Sequence, residues 1–351
     1  MTDKKPITQQ DVAELAGVSR GVVSYVINNG PRDVADETRN RVLTAIQELD
    51  YRPNKHAQRL KLGANSAQNT LGIVTGGQSF NVLERPYYNI ILAGLFEEAH
   101  RLGYDVRFFS FFEALTDPIF FNKNIHSDEI SALVLILPAM IATKPGYQEI
   151  LDKIEKRIDN VVCLEEQIKD WSTVIFDRAL AARQAVEHLI GLGHQRIVFL
   201  AIQDGRLTGY RQTLLDHNLP FDESLIFTPD PAQVLPAAYQ ATLEMLQLKP
   251  RPTAIFAAND EIAISALAAL SDNGINVPRD MAVVSIDNIR LSSMVRPSLT
   301  TVDVPKMRMA SSAMQLLMIN DQFREQKPSS IVVPTELIIR ESCGANMKMG
   351  E

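Results

Sequence analysis

The hydrophobic rhythm of the chain divides it in two. Over the first fifty residues, apolar positions recur at helical spacing in short blocks. Thr8-Gln9-Gln10-Asp11 fits the S/T-x-x-D/E pattern that satisfies two orphan amides at a helix start. It predicts a helix over about Gln9–Ala16 that buries Val12 and Ala16, with Gly17 able to take the left-handed conformation that stops it. Ser19 is the expected cap of a second helix, Arg20–Asn28, whose Val23, Val26 and Ile27 form one apolar stripe. A third helix, capped by Asp36 and running to about Leu49, buries Val42, Ile46 and Leu49. Two short helices around a glycine turn, closed by a third, are the helix-turn-helix arrangement.

From Thr70 onward the rhythm changes to short apolar runs alternating with amphipathic stretches. Strands are expected at 71–75, 106–109, 132–137, 161–164, 174–176, 197–201, 254–257 and 282–286. Helices are expected at 87–102, 146–157, 179–192, 206–217, 232–247 and 260–273. This alternation predicts parallel α/β layers, arranged as two units of about five strands each with a cleft at the carboxyl ends of the strands. The aromatic-rich stretch Phe108 to Asp128 fits either core or pocket lining.

An apolar inner face on the second helix leaves its outer face for a partner. That face carries Arg20, Gly21, Ser24, Tyr25 and Asn28. In a helix-turn-helix, this part of the second helix enters the major groove: Arg20 suits a guanine, Tyr25 suits base edges or methyl groups, and Gly21 allows close approach. Thr8, Ser19, Ser24 and Asn28 are small polar groups suited to phosphate. Small three-helix units also serve as plain structural domains. Thr38, Tyr51 and, from the basic run Arg52-Lys55-Arg59-Lys61, Arg59 complete the expected DNA contacts on this part of the chain.

The run DVAELAGVS…VVSYVINN…VADETRNRVLTAIQELDYRPNKHAQRLKLG resembles the headpiece of LacI/GalR (lactose-repressor/galactose-repressor) transcription regulators. In that family the next segment folds into a hinge helix on operator DNA, with a leucine wedged into the minor groove. The resemblance puts Asn54, Ala57 and Leu60 at those positions. A helix this short is marginal alone in water, and an apolar wedge kinks the duplex. Tyr25 stands where the family usually places a base-reading Arg, Gly21 stands where a larger or Ala-like residue is common, and Ala35 replaces a usual Ser. The family's half-site sequence therefore does not carry over.

The segments LGHQRIVFLA, RPTAIFAANDEIAISALAAL, GINVPRDMAVVSIDN and PSLTTVDVP are similar to the same family's effector domain, which shares its fold with periplasmic sugar-binding proteins. The resemblance implies a headpiece over 1–52, a hinge over 53–64 and a two-subdomain core over 65–344, followed by a tail at 345–351. Crossovers near 175, 303 and 331 would make the N-subdomain about 70–174 plus 304–330 and the C-subdomain about 175–303 plus 331–344. It also implies a homodimer on a pseudo-palindromic operator. Candidate effector contacts are Arg206, Asp287, Asn259, Glu165 where the family usually has Asp, Tyr87 and Tyr88 as stacking rings, and Phe80. Each has a structural alternative: an Arg206–Asp287 ion pair, helix-start packing for the tyrosines, a helix cap for Asn259. The D-N-x-x-G of the family is Asp177-Arg178-Ala179-Leu180-Ala181 here.

Composition narrows the classes further. With 46% hydrophobic and 22% charged residues, the 351-residue chain reads as an ordinary globular protein of more than one domain. Residues 1–63 carry a net +2 and the rest a net −9, so attraction to a polyanion concentrates at the amino-terminal part. MTDKKPITQQD lacks an apolar signal-peptide core, and the apolar run 132–142 is broken by Pro138, far short of a membrane span. Two cysteines without metal spacing argue against a disulfide framework or zinc site, and the expected compartment is the cytoplasm. Six scattered histidines, no GxSxG and no phosphate loop give no catalytic residues, no metal and no cofactor. His188 and His194 are expected to be structural. The expectation is a non-enzymatic, DNA-binding repressor controlled by a sugar or sugar derivative. The alternatives are a cytoplasmic solute-binding protein and a regulator responding to a nucleoside or purine.

Overall fold

A computed structural model describes residues 7–28 (for Asn28 the backbone only), 34–51, 69–76, 82–137, 146–200, 204–230, 233–322 and 328–345. The amino-terminal helices are α1 (Gln9–Ala16), α2 (Arg20–Asn28) and α3 (Asp36–Glu48). At the start of α1 the Asp11 amide donates to Thr8 Oγ1 at 3.3 Å and the Thr8 amide donates back to Asp11 Oδ2 at 2.6 Å, completing the capping box. Gly17 ends the helix at φ +64°, as expected for a left-handed cap. Val12, Ala13, Val23, Val26, Val42, Ala45 and Ile46 close one small core. The expected cap at Asp36 is corrected: Ala35 occupies the N-cap without a side-chain bond, and Asp36 is the first helical residue. There it and Glu37 still complement the helix dipole.

The remaining elements alternate. They are β1 (Thr70–Thr75), α4 (Pro86–Arg101), β2 (Asp105–Phe111), α5 (Pro118–Asn124), β3 (Ala132–Ile136), α6 (Tyr147–Glu155), β4 (Val161–Leu164), β5 (Ser172–Phe176) and α7 (Arg178–Gly191). There follow β6 (Ile197–Leu200), α8 (Gly205–Asp216), β7 (Ile226–Phe227), α9 (Val234–Met245), β8 (Ala254–Ala257), α10 (Asp260–Asp272) and β9 (Ala282–Asp287). The chain then forms β10 (Thr300–Asp303), α11 (Lys306–Gln322), β11 (Ser330–Val333) and β12 (Glu336–Ile338).

Among the described residues two six-stranded sheets form, in the orders β11-β5-β4-β3-β1-β2 and β12-β10-β9-β8-β6-β7. Pairing is parallel from β2 through β1 and β3 to β4, and from β7 through β6, β8 and β9 to β10. β12 closes the second sheet antiparallel to β10, with Val302 opposite Leu337. The strands β1, β3, β4, β8 and β9 are buried on both faces, which explains why they read as continuous apolar runs rather than alternating ones.

The chain forms two compact units. Unit 1 comprises residues 1–78, 95–173 and 313–329; unit 2 comprises 79–94, 174–312 and 330–351. In unit 1 the aromatic stretch that fitted either core or pocket resolves as core. Phe112, Leu115, Phe121 and Ile125 are buried with Leu133, Leu135 and Tyr147, and Phe108 and Phe120 pack against them. In unit 2, Gly209 fits α8 against α7: a β-carbon there would stand 2.2 Å from the Ala179 carbonyl oxygen. That contact places the amino ends of α7 and α8 side by side.

Candidate functional site

Two regions collect the polar residues singled out above. The first is the outer face of α2. Arg20 and Gly21 are exposed, Ser24 and Tyr25 half-buried, while Val23 and Val26 face the core. Gly21 has open space where a side chain would start, the nearest atom being Ser19 Oγ at 3.7 Å, so glycine there keeps the surface low rather than relieving a clash. The Ser19 carbonyl accepts the first helical amides, from Val22 at 3.0 Å and Val23 at 3.3 Å. Arg20 Nε donates to Gln9 Oε1 at 3.4 Å, tying the start of α2 to α1. Thr8 lies at the start of α1 and Thr38 is half-buried in the first turn of α3.

Tyr51, expected at the DNA surface, is instead a core side chain with 2% exposure. The turn after α3 explains it, since the Tyr51 amide donates back to the Ile46 carbonyl at 3.0 Å and so draws the ring inward. Burial pushes its phenol pKa up, against a hydrogen bond with Gln9 and the nearby Arg20 charge. Asn54, Ala57, Arg59, Leu60 and Phe80 lie outside the described residues.

The second region is the carboxyl edge of the sheet of unit 2, where β10, β9, β8 and β6 are neighbours. Asp204 caps α8, accepting from the Arg206 amide at 2.9 Å. The Arg206 guanidinium then folds back on Asp204 in a bidentate pair, Nε–Oδ1 3.0 Å and Nη2–Oδ2 2.7 Å, and its Nη1 donates to the Ala258 carbonyl at 2.9 Å. This joins the start of α8 to the end of β8, one residue before Asn259. Burial pulls the Asp204 carboxyl upward, but the bonds and charge of Arg206, with Arg178 behind, hold it below the usual carboxylate range. Arg178 approaches the same carboxylate at 3.7 Å and lies 5.3 Å from the centre of the Phe176 ring.

Asn259 caps α10, its side chain accepting from the Ile262 amide at 2.9 Å. The next residue, Asp260, is fully buried and accepts from Ser285 Oγ at 2.5 Å, Thr301 Oγ1 at 2.6 Å and the Ile289 amide at 2.7 Å. It stitches β9 and β10 together beneath Asp287. Asp287 ends β9 at φ +119°, a conformation L-residues rarely adopt, and Asn288 follows at φ +53°. Surrounding bonds fix this turn: Lys306 donates to the Asp287 carbonyl and, at 2.8 Å, to that of Val304, and Arg340 donates to Asn288 Oδ1 at 2.6 Å.

Tyr87 and Tyr88 open α4 edge to face, with ring centres 5.0 Å apart. Tyr87 is buried, 5.6 Å from Lys306 Nζ, and its hydroxyl meets Met309 Sδ at 3.5 Å; Tyr88 is half-buried. Glu165 lies in unit 1 just after β4, 3% exposed at φ +78°. The alternative Arg206–Asp287 ion pair is replaced by Arg206–Asp204. Asp204, Asp260, Lys306 and Arg340 were not among the candidate contacts. Only Asp204 carried a legible signal, an Asp at the N-cap two residues before the arginine. His188 and His194 have structural partners, Cys343 Sγ at 3.3 Å and Thr253 Oγ1 at 2.9 Å. Among the described residues no helix is long and apolar enough to cross a membrane.

Family models match the segments that carry both regions. Residues 8–54 match the model of bacterial regulatory proteins of the lacI family, and residues 186–343 match a periplasmic binding protein-like domain. The chain is 30% identical over 349 residues to the HTH-type transcriptional regulator MalR of Clostridium butyricum, spanning 95% of this chain and 98% of that protein. It is 29% identical over 350 residues to the HTH-type transcriptional repressor PurR of Mannheimia succiniciproducens, spanning 95% and 98%. Among solved structures it is similar to a complex of the transcriptional regulator CelR with cellobiose, with TM-score 0.68, 28% identity and 96% and 99% coverage. It is also similar to the lac repressor dimer bound to operator and the anti-inducer ONPF, with TM-score 0.66, 26% identity and 96% and 99% coverage.

Proposed function

Because the chain belongs to the lacI family of bacterial regulatory proteins and is a DNA-binding transcriptional regulator of the effector-responsive type, we propose that it is a dimeric cytoplasmic repressor whose effector is a sugar or sugar derivative. The observation that carries the sugar reading is the polar edge of unit 2. There Arg206, Asn259 and Asp287 follow neighbouring parallel strands, where open α/β sheets bind ligands. A carboxylate accepts hydrogen bonds from adjacent hydroxyls, an amide donates and accepts, and a guanidinium donates in a fixed fork. Tyr88 adds a half-buried ring suited to a sugar face. Similarity to the CelR–cellobiose complex supports the same class, and similarity to the lac repressor dimer supports the dimer.

In this reading Arg20, Gly21, Ser24 and Tyr25 face base edges, with Thr8, Ser19 and Thr38 toward phosphates. Glu165 is proposed as an effector contact of its own unit. A coupling of about 1–3 kcal/mol between effector and operator would change DNA affinity about 5–150-fold. A thermal-shift screen of the purified protein against mono- and disaccharides, with nucleosides as controls, tests the sugar reading. A shift with a saccharide that also alters duplex binding supports it. Shifts with nucleosides alone overturn it.

A further inference from the structure

Among the described residues, Arg157 is central to the polar contacts that tie the three-helix headpiece to the body of unit 1. Arg157 follows α6, and its guanidinium is held before it reaches the headpiece. Nη1 donates to the Ile125 carbonyl at 3.3 Å, Nη2 donates to Asn122 Oδ1 at 3.0 Å, and the group lies 4.7 Å from the centre of the Phe121 ring. Nη2 also donates to Asp50 Oδ1 at 2.5 Å, across to the turn that ends α3. Asn122, itself 4% exposed, donates to the Tyr51 carbonyl at 3.4 Å. Two adjacent headpiece residues are thus gripped by two side chains that also grip each other.

The local backbone of the headpiece fits this role. Asp50 sits at φ +50°, a left-handed conformation that Asp tolerates better than most residues, and the reversal sends the Tyr51 ring into the headpiece core. The residue that makes the turn also supplies the carboxylate for Arg157. Among the described residues, apolar contact at the junction is thin. Ile119 of α5 packs against the headpiece core, but beside it a cavity of about 180 Å³ opens between Gln47 of α3 and Phe121, Asn122, Ile150, Lys153 and Arg157. Among the described residues, directional polar bonds thus join the headpiece to the body beside this limited apolar contact.

We propose that Asp50–Arg157, supported by Asn122, is a latch that fixes the angle of α2 relative to the rest of unit 1, which makes Arg157 a positioning residue for operator recognition. The inference rests on the dimeric, operator-binding reading above. In a dimer with latched headpieces, the distance between the two α2 helices follows the bodies, so only one half-site spacing fits well. With the latch open, the headpieces accept several spacings.

The test uses full-length protein and a palindromic duplex that the wild type enriches from a randomised library, re-synthesised with base pairs added or removed one at a time at its centre. The wild type should bind one spacing at least about 10-fold more tightly than its neighbours, since half-site spacing is a geometric requirement of paired helix-turn-helix units. Arg157→Met, which keeps a side-chain stem over Phe121, and Asp50→Asn, on the more exposed side, should flatten the profile to within about 3-fold. Thermal unfolding and effector-induced shifts should stay as in the wild type. The charge-reversed pair Asp50→Arg with Arg157→Asp should restore the peak. A sharp, unshifted peak in both single variants overturns the latch, and so does a flat profile in the wild type. A wild type that enriches no duplex at all removes the operator reading, and the latch with it.

Discussion

Arg206 clasps the carboxylate of Asp204, two residues earlier, through two parallel bonds of 3.0 and 2.7 Å, and spends a third donor on the Ala258 carbonyl at 2.9 Å. The guanidinium is thereby oriented by its own unit, with 13% of its side chain exposed. Arg206→Ala should weaken effector binding by at least about 10-fold, the loss of one charge-assisted interaction, and leave duplex affinity unchanged. Asp204→Asn, which frees the guanidinium without removing it, should cost less. Titration calorimetry with the effector found by screening checks both; an unchanged isotherm for Arg206→Ala removes it from the site.

Asp260 gives a stability prediction. Its carboxylate takes bonds from Ser285, Thr301 and the Ile289 amide, and it is fully buried. Burial raises its pKa, opposed by those donors and by Lys306. Asp260→Ala strands these three donors in the interior, so unit 2 should lose about 3 kcal/mol. Urea unfolding followed by circular dichroism measures this, and a loss under about 1 kcal/mol would show that the network is not holding β9 and β10.

How much of this was legible in the residues differs by element. The helix-turn-helix could be placed to within a residue, because capping chemistry at Thr8 and Gly17 is local. Strands such as β4 and β8 were equally plain, since both faces are buried. β10, β11, β12 and α11 were not found: β11 carries an exposed, polar start, and the weak apolar moment of α11 comes from being covered on several sides, with Met309, Ala310, Ala313, Met314 and Leu317 all buried. α5 was hidden by aromatic residues that favour strands by propensity; Pro118 and the Asp117 cap, which accepts from the Ile119 amide at 2.8 Å, decided otherwise. At the proposed site, the candidates for ligand contact were named from the residues, whereas the side chains that hold them in place, Lys306 and Arg340 above all, were not. Their roles depend on tertiary neighbours more than thirty residues away in the case of Arg340.

Gly209 tests the packing of α7 on α8. A β-carbon would meet the Ala179 carbonyl oxygen at 2.2 Å, a backbone atom that cannot swing aside. Gly209→Ala should destabilise by about 3 kcal/mol, the upper end of ordinary overpacking. Gly205→Ala, with its nearest contact a side-chain carbon at 3.4 Å, should cost far less. Equal denaturation midpoints for the two variants would contradict this packing.

The histidines set a pH dependence. Burial lowers the pKa of His188, and burial with the neighbouring His188 charge lowers that of His194. Below their unfolded value of about 6.5 the unfolded chain binds more protons than the native one, so stability is full above that pH and falls as pH drops. Asp204, held low in the fold, adds a loss in the same direction beginning near pH 4. Melting temperatures measured between about pH 7.5 and 5.5 should fall more steeply for the wild type than for a His188→Gln/His194→Gln variant. Parallel curves would mean that neither imidazole is held neutral by the fold.

The most direct measurement is selection of duplexes from a randomised library by the full-length protein, repeated with Arg20→Ala and Tyr25→Ala, each with and without a sugar that shifts the melting temperature. The account predicts a pseudo-palindrome enriched by the wild type, relaxed base preference in each half-site for the two variants, and an affinity that changes about 5–150-fold when the sugar is added. An unchanged consensus for both variants, or duplex binding indifferent to every sugar that stabilises the protein, would contradict it.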